Sequence, residues 1–174
     1  IKLSTGNLVD DAGIIPSLSR DLIINKDTNG VIEVLGDKDV FNMSLKGGHT
    51  YRFNISPEFN GIQSPLTDTL LRLLSYDIAT DSFIELASND NVYTKTGLNL
   101  SSEIIYTSEI DSNIYLEASA SGDKYQGIYT IKATDLGNLS IDDHPSNILD
   151  DPQVILAGKP LTGTIEKFDD IDLF

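Results

Sequence analysis

The residues of this chain with the most scope for chemistry are its acids. Asp and Glu number 27 against 12 Lys and Arg, which leaves a formal charge of -15 and a pI near 4.2. Such a surface repels nucleic acid and anionic lipid, so neither is expected as a partner. Catalysis has little to draw on. There is no cysteine, His49 falls in a turn and His144 in a linker, and no serine lies in a GxSxG elbow. Carboxylate pairs are so numerous that coincidence explains them better than acid/base design. Many Asp and Asn oxygens suit instead a hard divalent cation, Ca²⁺ above all.

Several acids stand where they can share an ion. Asp37-Lys38-Asp39 places two carboxylates at i and i+2, on one side of an extended chain. Asp68 opens one apolar run and Asn89-Asp90-Asn91 closes the next, so these oxygens are expected to converge at sheet ends. Asn25-Lys26-Asp27-Thr28-Asn29-Gly30 imitates the first half of an EF-hand loop, with oxygens at positions 1, 3 and 5 and then glycine. Position 12 is Gly36, however, and no flanking helices are expected. An Asx-rich turn accounts for the same six residues. The pairs Asp10-Asp11 and Asp142-Asp143 are secondary candidates. Mutual repulsion among these groups is unfavourable unless a cation or water screens it. The expectation is one or more Ca²⁺ sites, against the plainer alternative that the side chains cap turn backbones.

The stretch GVIEVLGDKDVF, Gly30 to Phe41, returns as GTIEKFDDIDLF, Gly163 to Phe174. Gly30/Gly163, Ile32/Ile165, Glu33/Glu166, Asp37/Asp170, Asp39/Asp172 and Phe41/Phe174 agree without a gap, and an acidic pair precedes each copy. A full set of strand candidates follows the first copy and none follows the second. The chain reads as one complete unit plus the opening of another, a piece of something longer, with the echo a boundary marker more than a site. The apolar residues of the second copy are expected to pack back on the first unit.

Around these residues the chain is written in short apolar runs. Leu22 to Ile24 is followed by strand candidates at Val31 to Leu35, Phe41 to Leu45 and Tyr51 to Ile55, with Gly47-Gly48 as a hairpin between the last two. Leu70 to Leu74, apolar on both faces but for Arg72, reads as a central strand. Phe83 to Ala87, Ile104 to Thr107, Ile114 to Ala120 and Gly127 to Ala133 complete the set. No window sustains a helical period, and no apolar run reaches the ~18 residues of a membrane span. Eight or nine strands with regular turn signals mean an all-β antiparallel sandwich or barrel. The long loops at 56 to 67 and 88 to 101 favour the sandwich, as crossings between sheets. The expected organisation is a linker or first strand over 1–20, the sandwich over 21–136, and a linker with the next opening strand over 137–174.

Taken in order, DKDVFNMSLKGGHTYRFNI, DTLLRLLSYD, ELASNDN and SSEIIYTSEIDSNIYLEASASGDKYQGIYTIKAT resemble the bacterial pre-peptidase C-terminal (PPC-like) domain, above all the version found in tandem in calcium-binding RTX proteins and adhesins. The resemblance spans about residues 30 to 134. It implies a jelly-roll-like sandwich without catalytic activity, secreted or held at the bacterial surface, binding Ca²⁺ and in some members peptide or carbohydrate. Matched by position, it implies metal ligation by Asp37, Asp39, Asp68, Asp77, Asn89 and Asp90. Departures at Leu74-Ser75-Tyr76-Asp77, Asn91 and Val92 to Gly97 point to a remodelled surface, with Tyr93 as a candidate ligand contact. Two roles follow from the resemblance: a module of a large adhesin that grips or spaces, or an accessory domain of a secreted peptidase or other hydrolase. The internal repeat favours the first.

Overall fold

Period-two alternation of apolar residues becomes two facing β-sheets in the computed structural model, which describes residues 10–94, 97–138 and 157–160. The strands are β1 (Arg20–Asp21), β2 (Thr28–Ile32), β3 (Lys38–Leu45), β4 (Thr50–Pro57), β5 (Thr69–Asp77), β6 (Ser82–Asn89), β7 (Val92–Thr94), β8 (Gly97–Asn99), β9 (Ser102–Thr107), β10 (Ser112–Ala120) and β11 (Gly127–Gly137). One sheet has the order β1-β3-β10-β5-β6 and the other β2-β11-β4-β9, with β7 and β8 a separate hairpin. Every pair of strands is antiparallel except β1 with β3. The architecture is the expected all-β sandwich, and no described helix is long and apolar enough to cross a membrane.

The core lies between the sheets and is filled by the predicted alternation. Phe41, Met43 and Leu45 of β3 face Tyr51, Phe53 and Ile55 of β4 across it, joined by Leu71 and Leu73, Ile114, Leu116 and Ala118, and Tyr129, Ile131 and Ala133. Strand β5 lies inside its sheet, flanked by β10 and β6. Leu71 and Leu73 alternate inward, and Leu74 falls on the other face yet stays buried. The register shift opposite Leu73 and Leu74 lies in β6, where Leu86 is the extra residue.

Three expectations change in detail. Phe41 to Leu45 and Tyr51 to Ile55 do not pair as a hairpin: β3 lies in one sheet and β4 in the other. The Gly47-Gly48 turn is a corner between layers, where a Cβ on Gly47 would come within 2.8 Å of the Ile110 backbone. Two apolar faces that meet across a core cannot also lie side by side in one ladder. The strand expected at Val31 to Leu35 is drawn back to Thr28–Ile32, because Val34 and Leu35 enter an exposed turn. The third concerns the linker or first strand expected over 1–20, which is described only from Asp10 onward. From Asp10 the chain forms a strap along β3, with the Val40 N–H donating to the Ala12 carbonyl and a 3-10 turn at Pro16–Leu18. Both long loops do cross between sheets, β4 to β5 and β6 to β9. The second copy of the repeated stretch lies outside the described residues, so its packing against the first unit does too.

Leu71 is fully buried in the core between the layers, while Leu86 on the outer strand β6 is 43% exposed. Leu71→Ala is expected to cost about 2–5 kcal/mol of unfolding free energy, and Leu86→Ala under ~1 kcal/mol. Urea unfolding followed by circular dichroism measures both.

Candidate metal centre

The turn between β2 and β3 gathers the acids of the first repeated stretch. The Asp37 N–H donates to the Val34 carbonyl (3.2 Å), and Gly36 supplies the positive φ of 84° that this turn requires. The Glu33 N–H then donates to Asp37 Oδ2 at 3.1 Å, which holds these two residues together. Two residues on, Asp39 shares the inward face of β3 with Phe41, Met43 and Leu45. Strand alternation thus drives a carboxylate into the end of the core, where it is 0% exposed.

From the opposite sheet, the hydroxyl of Tyr129 donates to Asp39 Oδ2 at 2.5 Å. Its ring can lie there because its cross-strand partner on β2 is Gly30. A Cβ on Gly30 would sit 2.3 Å from the Tyr129 oxygen. Asp10 arrives on the strap, its Oδ1 accepting from the Ala12 N–H at 3.0 Å. Asp11 turns elsewhere, accepting from Arg20 (3.2 Å) and from the Val31 N–H (3.4 Å), and so clamps the strap to β2.

Asp10, Glu33, Asp37 and Asp39 each offer a carboxylate oxygen, and these four oxygens lie within 4.8 Å of one another. Opposed oxygens around a Ca²⁺ ion, each at 2.3–2.6 Å, are separated by about 4.6–5.2 Å, so the cluster has the right span for one hard cation. Asp39 Oδ1 and Glu33 Oε2 are buried without a hydrogen-bond partner. Unpartnered buried carboxylate oxygens are unfavourable. Burial is the main reason the Asp39 carboxyl is pushed up to about 8, against the lowering effect of the Tyr129 hydroxyl. Burial, with Asp37 beside it, pushes Glu33 up to about 7. A divalent cation would complete both orphaned oxygens and remove the repulsion that raises these groups.

The other expected ligands fall in different places. Asp68 and Asp90 meet at the same end of the five-stranded sheet. Burial raises the Asp68 carboxyl, with the nearby Asp90 charge adding to it and Lys124 opposing. Asp68 Oδ1 and Asn91 Oδ1 are buried without partners, whereas Asn89 Oδ1 accepts from the Asn91 and Glu103 N–H groups. Asp77 lies at the far end of β5, opposite Ser82, and caps the β5–β6 turn through the Ala79 N–H and the Thr80 hydroxyl. In the segment resembling an EF-hand loop, Asn25 Oδ1 accepts from the Asp135 N–H and Asp27 pairs with Lys132 at 2.9 Å. Asn29 Oδ1 accepts from the Thr130 hydroxyl there. These three therefore tie β2 and its turn to β11. Asp142 and Asp143 lie outside the described residues, as does the side chain of Tyr93. Glu33 was not singled out as a ligand from its local context. The signal for it lay in the repeat, where Glu33 and Glu166 match.

The sign of the pH effect follows from the two raised carboxyls. In the folded protein they keep protons that the unfolded chain releases above about pH 4. Their contribution to stability is therefore greatest at low pH and is lost as pH rises through about 7 and about 8. In chelator, the melting temperature is expected to fall between pH 5 and pH 8.5, and Asp39→Asn is expected to reduce that fall. Gly30→Ala should displace the Tyr129 hydroxyl and lower the melting temperature by several degrees, because the side chain it meets is fully buried.

No protein-family model matches the chain, and neither does any curated protein. Among solved structures, the chain is similar to the pre-peptidase C-terminal domain of collagenase from Bacillus anthracis, with 12% identity and a TM-score of 0.48 over 74% of this chain and 99% of that one.

Proposed function

We propose that this chain is a calcium-binding, non-catalytic β-sandwich module of a large secreted or surface-held bacterial protein of the RTX adhesin kind, gripping or spacing its attachment to a peptide or carbohydrate ligand. The observation that carries the calcium part is the buried Asp39, which keeps one oxygen without a hydrogen-bond partner and stands in a cluster with the carboxylates of Asp10, Glu33 and Asp37. The all-oxygen, all-anionic donor set suits Ca²⁺ better than metals that favour nitrogen or sulfur.

The adhesin part rests on the internal repeat. Asp10, Glu33, Asp37 and Asp39 recur in one register as Asp143, Glu166, Asp170 and Asp172, together with Gly163, Ile165 and Phe174 in place of Gly30, Ile32 and Phe41. A chain that writes the same ligand set and the same supporting residues twice is organised as tandem modules. Tandem modules suit a long adhesin better than a single appendage of an enzyme.

A cation held only by the folded state stabilises it by RT ln(1 + [Ca²⁺]/Kd), about 2.7 kcal/mol at a hundred times Kd. Millimolar Ca²⁺ is therefore expected to raise the melting temperature by several degrees and Mg²⁺ to raise it less, since Mg²⁺ gives up its water reluctantly. Asp37→Ala and Asp39→Asn should each abolish most of the calcium shift. Isothermal titration of chelator-treated protein, with melts of both variants, measures this. A melt indifferent to Ca²⁺ would sink the reading.

A further inference from the structure

The outer face of the five-stranded sheet carries an apolar groove that the cation cluster does not use. One wall is the strap, with Ile14, Ile15, Pro16 and Ser17; the other is Tyr76 of β5 with Asp81, Ser82 and Phe83. Its volume of 490 Å³ is within the range of small-ligand clefts, about 300–1,000 Å³. Behind it three aromatic rings stand edge to face: Phe83 and Tyr115 with centroids 5.0 Å apart, Tyr76 and Phe83 at 5.5 Å, and Tyr76 and Tyr115 at 6.2 Å. Ile14 and Ile15 are 59% and 47% exposed. A strap that turns two isoleucines to water beside an aromatic wall leaves apolar surface in want of cover.

Charge says what kind of cover. No Lys or Arg lines the groove, while Asp81 does, and Asp77 stands opposite Ser82 at the base of the same hairpin. The Thr80 hydroxyl and the Ala79 N–H hold the Asp77 carboxyl below its ordinary value, so it stays ionised. Aromatic faces beside carboxylates attract a cation that brings apolar stem with it, as Lys and Arg do. Anionic partners are repelled by the acidic rim and by the charge of -15. The groove runs over the face of the sheet between the strap and the β5–β6 hairpin, so an extended chain lying in it is held through side chains.

We propose that this groove binds an extended cationic peptide, one that alternates Lys or Arg with proline or aliphatic residues. The apolar side chains lie between Ile15 and Phe83, and the basic groups reach the Tyr76 ring and the carboxylates of Asp77 and Asp81. The proposal names the ligand class for the attachment role above, and rests on that reading only for the idea that the module grips a ligand.

Isothermal titration at physiological salt tests it, with a twelve-residue peptide of Lys-Pro-Leu repeats as probe and one of Lys-Pro-Gly repeats as the charge-matched control. The leucine peptide is expected to bind about tenfold tighter than the glycine peptide, and Phe83→Ser and Ile15→Ser each to weaken it about tenfold. Leu98→Ser, exposed on the separate hairpin, is expected to change nothing. Ile15 is on the surface strap, so its variant keeps the test alive even if Phe83→Ser fails to fold. Equal affinity for the two peptides, or unchanged binding by a folded Ile15→Ser, overturns the proposal. So does displacement of the peptide by a neutral cello-oligosaccharide, or dimerisation that occludes the groove. A calcium titration of the same sample reads the cation cluster separately, so failure here is distinguishable from failure there.

Discussion

A buried hydrogen bond ties the two layers together at one end, from the Tyr129 hydroxyl of the four-stranded sheet to Asp39 of the five-stranded sheet. Much of the local structure follows from it. Gly30 must lack a side chain so that the tyrosine ring can lie against β2. Asp39 must be buried to meet the hydroxyl, and burial leaves its other oxygen without a partner. An ionised carboxylate in that position is unfavourable by itself, and the surrounding acids make it more so. The fold therefore holds an unfavourable electrostatic arrangement at one end of an otherwise ordinary apolar core.

The strap gives that end its coupling to the rest of the chain. Asp10 enters the acidic cluster while its neighbour Asp11 holds Arg20 and the Val31 N–H. A few residues later the same strap forms one wall of the outer groove. Two consecutive acids thus part company, one joining the acidic cluster and the other anchoring the strap. Relief of repulsion at Asp10 and the placing of Ile14 and Ile15 are linked through a segment only a few residues long. Within the five-stranded sheet a second set of polar contacts runs across the outer face, with Glu117 bridging Lys38 and Arg72 and Arg72 reaching Glu85. These pairs keep that face from being uniformly apolar and confine the exposed aromatic surface to the hairpin end.

The fold class was legible because strand alternation is local. Phe41, Met43 and Leu45, and then Tyr51, Phe53 and Ile55, announce their inward faces within a few residues. What alternation does not state is which sheet a strand joins, since a corner and a hairpin both take a Gly-Gly turn. Leu70 to Leu74 showed its place inside a sheet through apolar residues on both faces, but the bulge at Leu86 on the neighbouring β6 has no local signature. The EF-hand-like segment misleads for the converse reason: Asn25, Asp27 and Asn29 have the spacing of ligands, and their oxygens are engaged by Asp135, Lys132 and Thr130 of β11.

Sequence alone sufficed for the inward and outward residues, the strongly acidic character, and the twelve-residue stretch written twice. All of these are properties of composition or of short-range order. Only the tertiary structure decided which of 27 acids stand together, because Asp10 and Glu33 are far apart in the chain and meet only when the strap lies on β3. It also gave the repeated stretch its meaning. Glu33, Asp37 and Asp39 are its carboxylates, Ile32 and Phe41 its core anchors, and Gly30 the space through which Tyr129 passes. Those six positions look like a boundary marker in one dimension, and the folded chain makes them the frame of an acidic cluster around the buried Asp39. Proximity across sheets depends on how layers pack, and no spacing along the chain encodes it.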